Sequence, residues 1–447
     1  MEFKEFGKIA AEAARQAGIR DYELFYLSEE STDVSMFNGE PTDFTSSLTG
    51  GVAFRCIVGG HMGSAFTQDL SREQAESLVR RAYDNAVTLE KEAEAFFAEG
   101  GAVYPDCKPA QMPVLSPEEL LRTAREASDA LKVSHEKITD QCITEVITQQ
   151  TKTSLMNSRG VDLTWEYAVD GVVLGAVVSD GTETNDEYEI KAAAPSDLDL
   201  KALAETTAAR AAATLGAGVA PTAVCPVIFA PGAVYSMLTT FAPAFSAENA
   251  RKGLSALKGK EGEIIASEAV TLTDDPFYPE NPYVQKFDGE GSPTARKELI
   301  SRGRLNTLLY DLSSAHAAGK QTTGNAFRMS YDSPVSIRPY TLVLAPGDLT
   351  EEELLAECGN GVWIDSLGGT HAGANPISGD FSLQSSGFLV ENGRKTRAVR
   401  AFTVSGNFFD LLKNITALSN KAELPRPGLP AVASPAVLVK SLTISGK

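Results

Sequence analysis

The N-terminal part of the chain changes between helical periodicity and short β-prone runs. Apolar residues at helical spacing among charged ones predict a first helix over residues 3–17. The stretch that follows, up to about residue 67, is divided by Asn38-Gly39, Gly50-Gly51 and Gly59-Gly60. Glycine and asparagine accept the positive φ of tight hairpin turns. The pattern therefore predicts an antiparallel meander behind the first helix.

Capping signals predict the starts of two further helices. Ser71 stands three residues before Gln74, and the helical pattern behind it continues to about residue 94. Ser116, Pro117 and Glu119 have the order of a capping box with proline in the first turn. A helix is therefore predicted to begin after each serine.

The distribution of elements predicts an α+β fold. A Pro- and Gly-rich linker covers residues 98–113, and an alanine-rich helix over 198–215 ends the middle part. From residue 226 onward strands follow one another without regular crossover helices, which favours antiparallel or mixed sheets. We predict helix-flanked antiparallel sheet units at residues 1–100 and 112–220. A strand-rich, barrel-like domain is predicted at residues 225–447.

Composition and charge argue against several classes of function. The 447 residues include 40 Lys and Arg against 59 Asp and Glu, a formal net charge of −19, and no basic stripe offsets it. Direct nucleic-acid binding is therefore disfavoured. The five cysteines are widely spaced and fit reduced thiols. Neither a signal peptide nor an uninterrupted apolar span is found, so we expect a cytoplasmic protein that does not bind membranes.

Few residues in the sequence point to metal or nucleophilic chemistry. His135-Glu136 begins like a zincin helix, but no second histidine follows one turn later. The stretch "GGTHAGANPISGD" gathers polar residues in a glycine-rich loop of a kind that builds binding sites, although turn formation is the simpler interpretation. No phosphate-binding or dinucleotide motif is present. The candidate histidines are His61, His135, His316 and His371.

Seven stretches taken together resemble the TldD/PmbA family of cytosolic metallopeptidase proteins. The resemblance extends over nearly the whole chain and is strongest in its C-terminal half. The stretches, in family order, are "GVAFRCIVGGHMGSAFT", "VIFAPGAVYSMLTTF", "LKGKEGEIIASEAVTLTDDP", "DGEGSPTARKELISRGRLNTLLYD", "TTGNAFR", "NPISGDFSLQSSGFLVENG" and "TVSGNFFDLLKNI".

The resemblance implies where a zinc site would lie in this chain. In the TldD-like branch, the helix after a segment like "VIFAPG" carries an HExxxH motif whose histidines bind zinc and whose glutamate is the general base. A cysteine near the C-terminus completes that ligand set. Aligned on "APG", the three motif positions fall at Thr239, Thr240 and Ala244, and no cysteine follows Cys358. Pro243 would also disturb a helix interior. We therefore expect neither a catalytic residue nor a metal ligand here.

This departure resembles the PmbA branch, also called TldE. The resemblance implies a heterodimer with a TldD-like, HExxxH-bearing subunit, in which that partner holds the zinc and cleaves unfolded or extended peptides. This chain would complete the peptide cleft, and strand-edge addition suits such a role because it reads the main chain. The cleft candidates in the matched polar loops are Asn325, Arg328, Asn375 and Ser382.

Two alternatives stay open at this stage. The chain could be a self-sufficient homodimeric peptidase that uses other ligands, such as His316 and His371 with nearby carboxylates. It could also be a peptide-binding protein without protease activity.

Overall fold

The N-terminal part of the protein consists of long strands and flanking helices. The structure is a computed structural model that describes residues 1–88 and 96–447. The helix predicted to begin after Ser71 starts at Arg72, and its predicted continuation over residues 89–94 lies outside the described residues. The elements in chain order are α1 (Phe3–Gln16), β1 (Asp21–Phe37), β2 (Glu40–Val58), β3 (His61–Thr67), α2 (Arg72–Thr88), α3 (Pro117–Lys132), β4 (Ile143–Asn157), β5 (Asp162–Ser179), β6 (Thr184–Ala192) and α4 (Leu200–Ala213).

These six strands form one antiparallel sheet in the order β3-β2-β1-β4-β5-β6. Strands β1 and β4 pair without a register shift from Glu23 opposite Asn157 to Phe37 opposite Ile143. The two sheet units expected on either side of the linker therefore share a single sheet. The linker itself runs along that sheet and forms one isolated bridge, Gln111 to Ala168. The domain boundaries at residues 100 and 112 stay a prediction.

The two faces of this sheet have different partners because side chains alternate along a strand. On one face α1 and α2 pack against Leu24 and Phe54, and α3 and α4 pack against Val34. The opposite face carries Phe25 and Trp165, which pack against the C-terminal part of the chain. The sheet therefore connects a helical layer to the C-terminal domain.

The predicted capping box at the start of α3 is confirmed. The Ser116 hydroxyl accepts a hydrogen bond from the Glu119 amide at 3.3 Å, and the Glu119 carboxylate accepts one from the Ser116 amide at 2.8 Å. Pro117 occupies the first turn, where its missing amide hydrogen costs nothing. The helix ends at Lys132.

The C-terminal part is rich in strands with short helices between them. Its elements in chain order are β7 (Ala223–Phe229), α5 (Pro231–Phe241), α6 (Ala247–Arg251), β8 (Leu272–Asp274), β9 (Lys297–Ser301), β10 (Arg304–Leu305), α7 (Leu312–Ala318), β11 (Ala326–Phe327), β12 (Ser336–Ile337), β13 (Thr341–Leu344), α8 (Glu351–Cys358), β14 (Gly361–Gly368), α9 (Thr370–Gly373), β15 (Asp380–Glu391), β16 (Arg394–Asn407), α10 (Phe408–Lys413), β17 (Ile415–Leu418), β18 (Ala431–Ala433) and β19 (Val437–Ser445).

Five of these strands close into a barrel in the order β16-β15-β14-β7-β19, and pairing of β16 with β19 completes the ring. Only the β7–β14 pair in this ring is parallel. A second sheet has the order β10-β9-β8-β13-β18. The predicted α+β fold with a barrel-like C-terminal domain is therefore confirmed. Among the described helices, none combines the length and the apolar character needed to cross a bilayer.

Candidate functional site

Helix α5 is the element on which the expected active-site positions lie. It follows β7 directly, and the amide of Ala230, at the cap position, donates to the Ile364 carbonyl of β14 at 2.9 Å. Pro231 is its first residue, as suits a helix start. The α-helix ends at Phe241, and a 3-10 turn over Ala242–Phe245 contains Pro243. The proline therefore lies just past the helix, as its missing amide requires.

One side of α5 belongs to the apolar core of the C-terminal domain. The ring of Phe241 stacks on Phe408 with centroids 4.4 Å apart and meets Phe381 edge-on at 6.3 Å. A cavity of about 30 Å³ under the helix, beside Met237 and Leu238, has an entirely apolar lining. Such a space is near the size of a single water molecule. It cannot accept a peptide side chain, so this side of α5 is structural.

The three positions of the expected motif carry no group suited to zinc chemistry. The Thr239 hydroxyl donates to the Tyr235 carbonyl at 2.7 Å, and the Thr240 hydroxyl donates to the Ser236 carbonyl at 2.6 Å. Threonines inside helices commonly bond back in this way. Ala244 is fully buried and has no donor atom in its side chain. A zinc ion, which needs thiolate, imidazole or carboxylate ligands, does not fit these residues.

The described ranges 1–88 and 96–447 also contain no other cluster of three or more His, Cys, Asp or Glu residues able to hold a metal ion. Both histidines considered as alternative ligands lie within these ranges. His316 is exposed on α7, where its ring stacks on Phe96 at 4.0 Å, and His371 is exposed on α9.

The glycine-rich loop after β14 lies beside α5, because α9 packs against that helix. The Asn375 side chain accepts hydrogen bonds from the amides of Ile377 and Ser378 at 3.0 and 3.3 Å, which forms an Asx turn. Hydrogen bonds from Asn407 and Ser378 lower the pKa of Asp380. Ser382 lies on the outward-facing side of β15, and its hydroxyl accepts a hydrogen bond from the Ser405 hydroxyl at 2.9 Å.

Of the four cleft candidates, Asn375 and Ser382 are exposed and close together in this loop and strand. An isolated bridge between Ala374 and Phe381 brings their neighbours side by side. The turn-forming interpretation of the loop agrees with its hydrogen bonds. A role of these two residues in binding peptide stays a prediction.

The third candidate, Asn325, is fully buried and has a structural network around it. Its amide donates to Asp274 at 2.7 Å and to the Arg338 carbonyl at 2.9 Å. Its carbonyl oxygen accepts from Lys297 and Thr323, both at 2.8 Å. Because every polar atom of this side chain is bonded within the chain, Asn325 does not line an open surface.

The fourth candidate, Arg328, lies in a buried ionic contact between the two parts of the chain. Its guanidinium pairs with Glu23 of β1 and lies 4.3 Å from the centre of the Phe25 ring. Arg55 of β2 donates to the same carboxylate oxygen at 2.8 Å. Burial, aided by the neighbouring Arg55, lowers the pKa of Arg328 to about 10. Like Asn325, Arg328 is not available to a peptide in this chain.

Two acidic residues, Asp288 and Glu290, lie beside this contact, and no sequence motif marks either of them as functional. Asp288 accepts backbone hydrogen bonds from Glu290, Ser292 and Ala326 at 2.9 to 3.0 Å. Glu290 accepts one from the Leu312 amide at 2.9 Å. Burial raises the pKa of both carboxyl groups. The "DGEG" sequence could have indicated a tight turn, but not the remote arginines that surround it.

Comparison with family models places most of the chain in one group of proteins. Residues 222–446 match the PmbA/TldA metallopeptidase C-terminal domain. Residues 22–86 match domain 1 of the same metallopeptidases, and residues 112–215 match their central domain.

Individual relatives agree with these matches. A PmbA homolog named as a metalloprotease in Haemophilus influenzae is 24% identical over 436 residues, which cover 94% of this chain and 92% of the relative. A metalloprotease of Methanothermobacter thermautotrophicus is 24% identical over 89% of this chain and 87% of its own length. An uncharacterized protein of Methanocaldococcus jannaschii is 33% identical, but the match spans about half of each chain, 49% and 50%.

Solved structures share the fold over the full length. A Thermotoga maritima protein provisionally named a modulator of DNA gyrase has a TM-score of 0.90 and 29% identity, covering 99% of this chain and all of its own. TldE from Thermococcus kodakarensis has a TM-score of 0.88 over 98% of this chain and all of its own. At 23% identity, that second likeness establishes the fold alone.

Proposed function

This chain belongs to the family of PmbA and TldD metallopeptidases, and we propose that it is a non-catalytic subunit that completes a peptide-binding cleft. The partner in this proposal is a TldD-like subunit that carries HExxxH. The partner supplies the zinc and the general base, and the substrate is an unfolded or extended peptide.

The observation that carries the proposal is the chemistry of Thr239, Thr240 and Ala244. A peptidase zinc site needs ligands that leave one position open for water, and a base that takes a proton from that water. Two hydroxyls that donate to their own helix and a buried methyl group supply neither. In this proposal, hydrolysis therefore depends on a second chain.

The residues beside α5 support a role in holding peptide. Asn375 and Ser382 are exposed, and the loop that carries Asn375 is fixed by its own hydrogen bonds next to α9. Main-chain and hydroxyl groups on such a preformed loop can orient an extended peptide without reading its sequence.

The experiment compares this chain alone, a TldD-like relative alone, and the two mixed, in a cleavage assay with an unstructured peptide. We expect no cleavage by this chain and strong, chelator-sensitive cleavage by the mixture. A control mixture uses the relative with the glutamate of HExxxH replaced by glutamine and should be inactive.

Two results, one from this assay and one from a peptide-binding measurement on the isolated chain, would reject the proposal. Metal-dependent cleavage by the isolated chain would favour a self-sufficient peptidase, and its loss in His316→Ala and His371→Ala variants would identify the ligands. Peptide binding with no effect on any HExxxH-bearing relative would instead favour a peptide-binding protein without protease activity.

A further inference from the structure

One edge of the N-terminal sheet is open. Strand β2 is 19 residues long, but its outer neighbour β3 pairs only with Val52–Val58. Within the described ranges no strand pairs with the outer side of residues 40–51. The inner side of the same segment pairs with β1 at every residue except Thr42, where the register shifts.

The hydrogen bonds of β1 show which residues of β2 point outward. The Tyr22 amide donates to the Ser158 hydroxyl at 3.1 Å, and the Tyr22 carbonyl accepts from the Ser158 amide at 3.0 Å, so both main-chain groups of Tyr22 point to the β4 side, away from β2. In an antiparallel ladder these directions alternate with each residue. The register continues without a shift from Asp21 opposite Ile57 to Ser35 opposite Asp43. Odd-numbered residues of β1 therefore bond to β2, and their partners on β2 point inward.

It follows that the even-numbered residues of β2 direct their main-chain groups to the open side. They are Phe44, Ser46, Leu48 and Gly50. The alternation gives them an amide and a carbonyl each on that side, over roughly 20 Å of strand. An added strand would continue the line of β3 and run antiparallel to β2, as β3 does.

The side chains beside this edge differ between its two faces. On one face Phe44 and Leu48 are 53% and 74% exposed. On the other face the carboxylate of Asp43 lies on β2 itself, that of Asp33 lies on β1, and that of Glu145 lies further into the sheet on β4. Burial, together with the neighbouring Asp43, raises the pKa of Asp33, and burial with Asp33 nearby raises that of Glu145. The crowded negative charge favours a cationic neighbour on this face.

The sequence of the edge does not block pairing. Residues 40–50 contain no lysine or arginine, and their single proline, Pro41, lies at the hairpin tip. Exposed sheet edges are commonly protected by such residues. The opposite edge, β6, is protected by charge: its Glu189 pairs with Arg210, and Arg400 of β16 reaches over to Asn185 at 2.7 Å.

We propose that the open edge of β2 binds an extended peptide by antiparallel strand addition. Apolar side chains of the peptide lie beside Phe44 and Leu48, and basic ones lie on the other face, towards Asp43 and Asp33. The proposal rests on the proposed function, since it specifies where and how this chain holds its peptide. The site lies on the N-terminal sheet, whereas α5 belongs to the C-terminal domain. At the end next to β3, the peptide contacts the rings of Phe66 and Tyr331, whose centroids lie 6.0 Å apart.

The test measures binding of a fluorescein-labelled decapeptide of alternating valine and lysine to this chain alone, by fluorescence anisotropy. In antiparallel pairing the valines lie opposite Phe44, Ser46 and Leu48, so their amides form the bonds to β2. Methylation of the valine amides should abolish binding, and methylation of the lysine amides should leave it within about twofold. Exchange of lysine for glutamate should weaken binding at least tenfold.

A pair of variants tests the same bonds from the side of the protein. Ser46→Pro removes an outward amide and should weaken binding about tenfold, whereas Ser46→Ala keeps the amide and should bind as the unaltered chain does. Circular dichroism checks that both variants fold. If Ser46→Pro does not fold, the methylated peptides still test the main-chain bonds on the unaltered chain.

Three results would overturn the proposal. They are equal binding of the two methylated peptides, a block by lysine methylation instead of valine methylation, and a folded Ser46→Pro variant that keeps the peptide affinity of the unaltered chain. None of these measurements uses a partner or a metal. The proposed function would stand if the mixture still cleaved peptide, so the two failures can be told apart.

Discussion

At the scale of single residues, the environment of Ala244 is unsuited to a zinc ligand. The residue is fully buried, and its carbonyl accepts a hydrogen bond from the Ser255 hydroxyl at 2.6 Å. It lies one residue past Pro243, beyond the end of α5. A zinc ligand at this position would have to lie on the helix with space for its side chain, and Ala244 is buried and lies past the helix end.

We therefore expect that restoring the motif does not restore a zinc site. An Ala244→His variant should be destabilised by at least about 1–3 kcal/mol, because an imidazole does not fit a closed core. Denaturant unfolding measures this, with Ala244→Ser as the control of smaller volume. Unchanged stability of Thr239→His/Thr240→Glu/Ala244→His, together with one bound zinc, would contradict the account.

A second prediction at this scale concerns Glu290. Its burial determines whether the free energy of unfolding rises or falls with pH. Burial raises the pKa of this carboxyl to about 8, Asp288 adds to the shift, and Arg55 opposes it. Between pH 4.5 and 8 the folded state keeps a proton that the unfolded state has lost. The contribution of Glu290 to stability is therefore present at low pH and disappears as pH rises towards 8.

Glu290→Gln should remove this pH dependence and keep an oxygen for the Leu312 amide. Relative to the unaltered chain, its free energy of unfolding should rise by a few kcal/mol between pH 5 and 8. Urea unfolding at several pH values measures this, and the exposed Glu298→Gln is the matched control. A constant difference between Glu290→Gln and the unaltered chain over this range would show that Glu290 is ionised in the folded state.

At the scale of elements, helix caps were predictable because their signals are local. Ser116, Pro117 and Glu119 lie within four residues and make the expected bonds. Similarly, Pro243 was expected to disturb a helix interior, and α5 ends before it, at Phe241. Propensity and capping act over one turn of helix, so the sequence alone contains the information.

We expect Ser116→Ala to lower the free energy of unfolding by about 1 kcal/mol, because it removes the cap of α3. Ser116→Asp keeps an acceptor for the Glu119 amide and should recover most of that loss. Thermal or urea unfolding measures both variants. Equal destabilisation by alanine and aspartate would mean that the hydroxyl bond does not stabilise α3.

Pairings between distant elements were not predictable in the same way. The union of two sheet units depends on β1 and β4, which lie more than 100 residues apart, and no local signal states which strands meet. Asn325 and Arg328 looked like loop residues for the same reason. Their partners Asp274 and Glu23 are remote in sequence, so their burial appears only in three dimensions.

At the scale of the whole molecule, the N-terminal sheet and the C-terminal domain are joined by specific polar contacts. The Trp165 ring nitrogen donates to the Val284 carbonyl at 2.9 Å, and the Tyr104 hydroxyl donates to the Gly291 carbonyl at 2.8 Å. Arg328 adds the buried pair with Glu23. These contacts connect the sheet that contains β2 to the domain that contains α5.

Arg328→Ala should therefore weaken the whole molecule, since it leaves a buried carboxylate with fewer partners. Loss of one member of a buried pair costs about 3–5 kcal/mol, and Arg55 should moderate this value here. Calorimetry measures the midpoint temperature of unfolding. The control is Arg302→Ala, which removes an exposed ion pair with Glu268 and should change this midpoint little. Equal shifts in the two variants would contradict a structural role of Arg328.

The most direct test of the central claim is the zinc content of the purified complex and of its separated chains, by inductively coupled plasma mass spectrometry. The account predicts one zinc per pair in the complex with an HExxxH-bearing relative, all of it retained by that relative after separation, and none in this chain. A stoichiometric zinc ion that stays with this chain would contradict it.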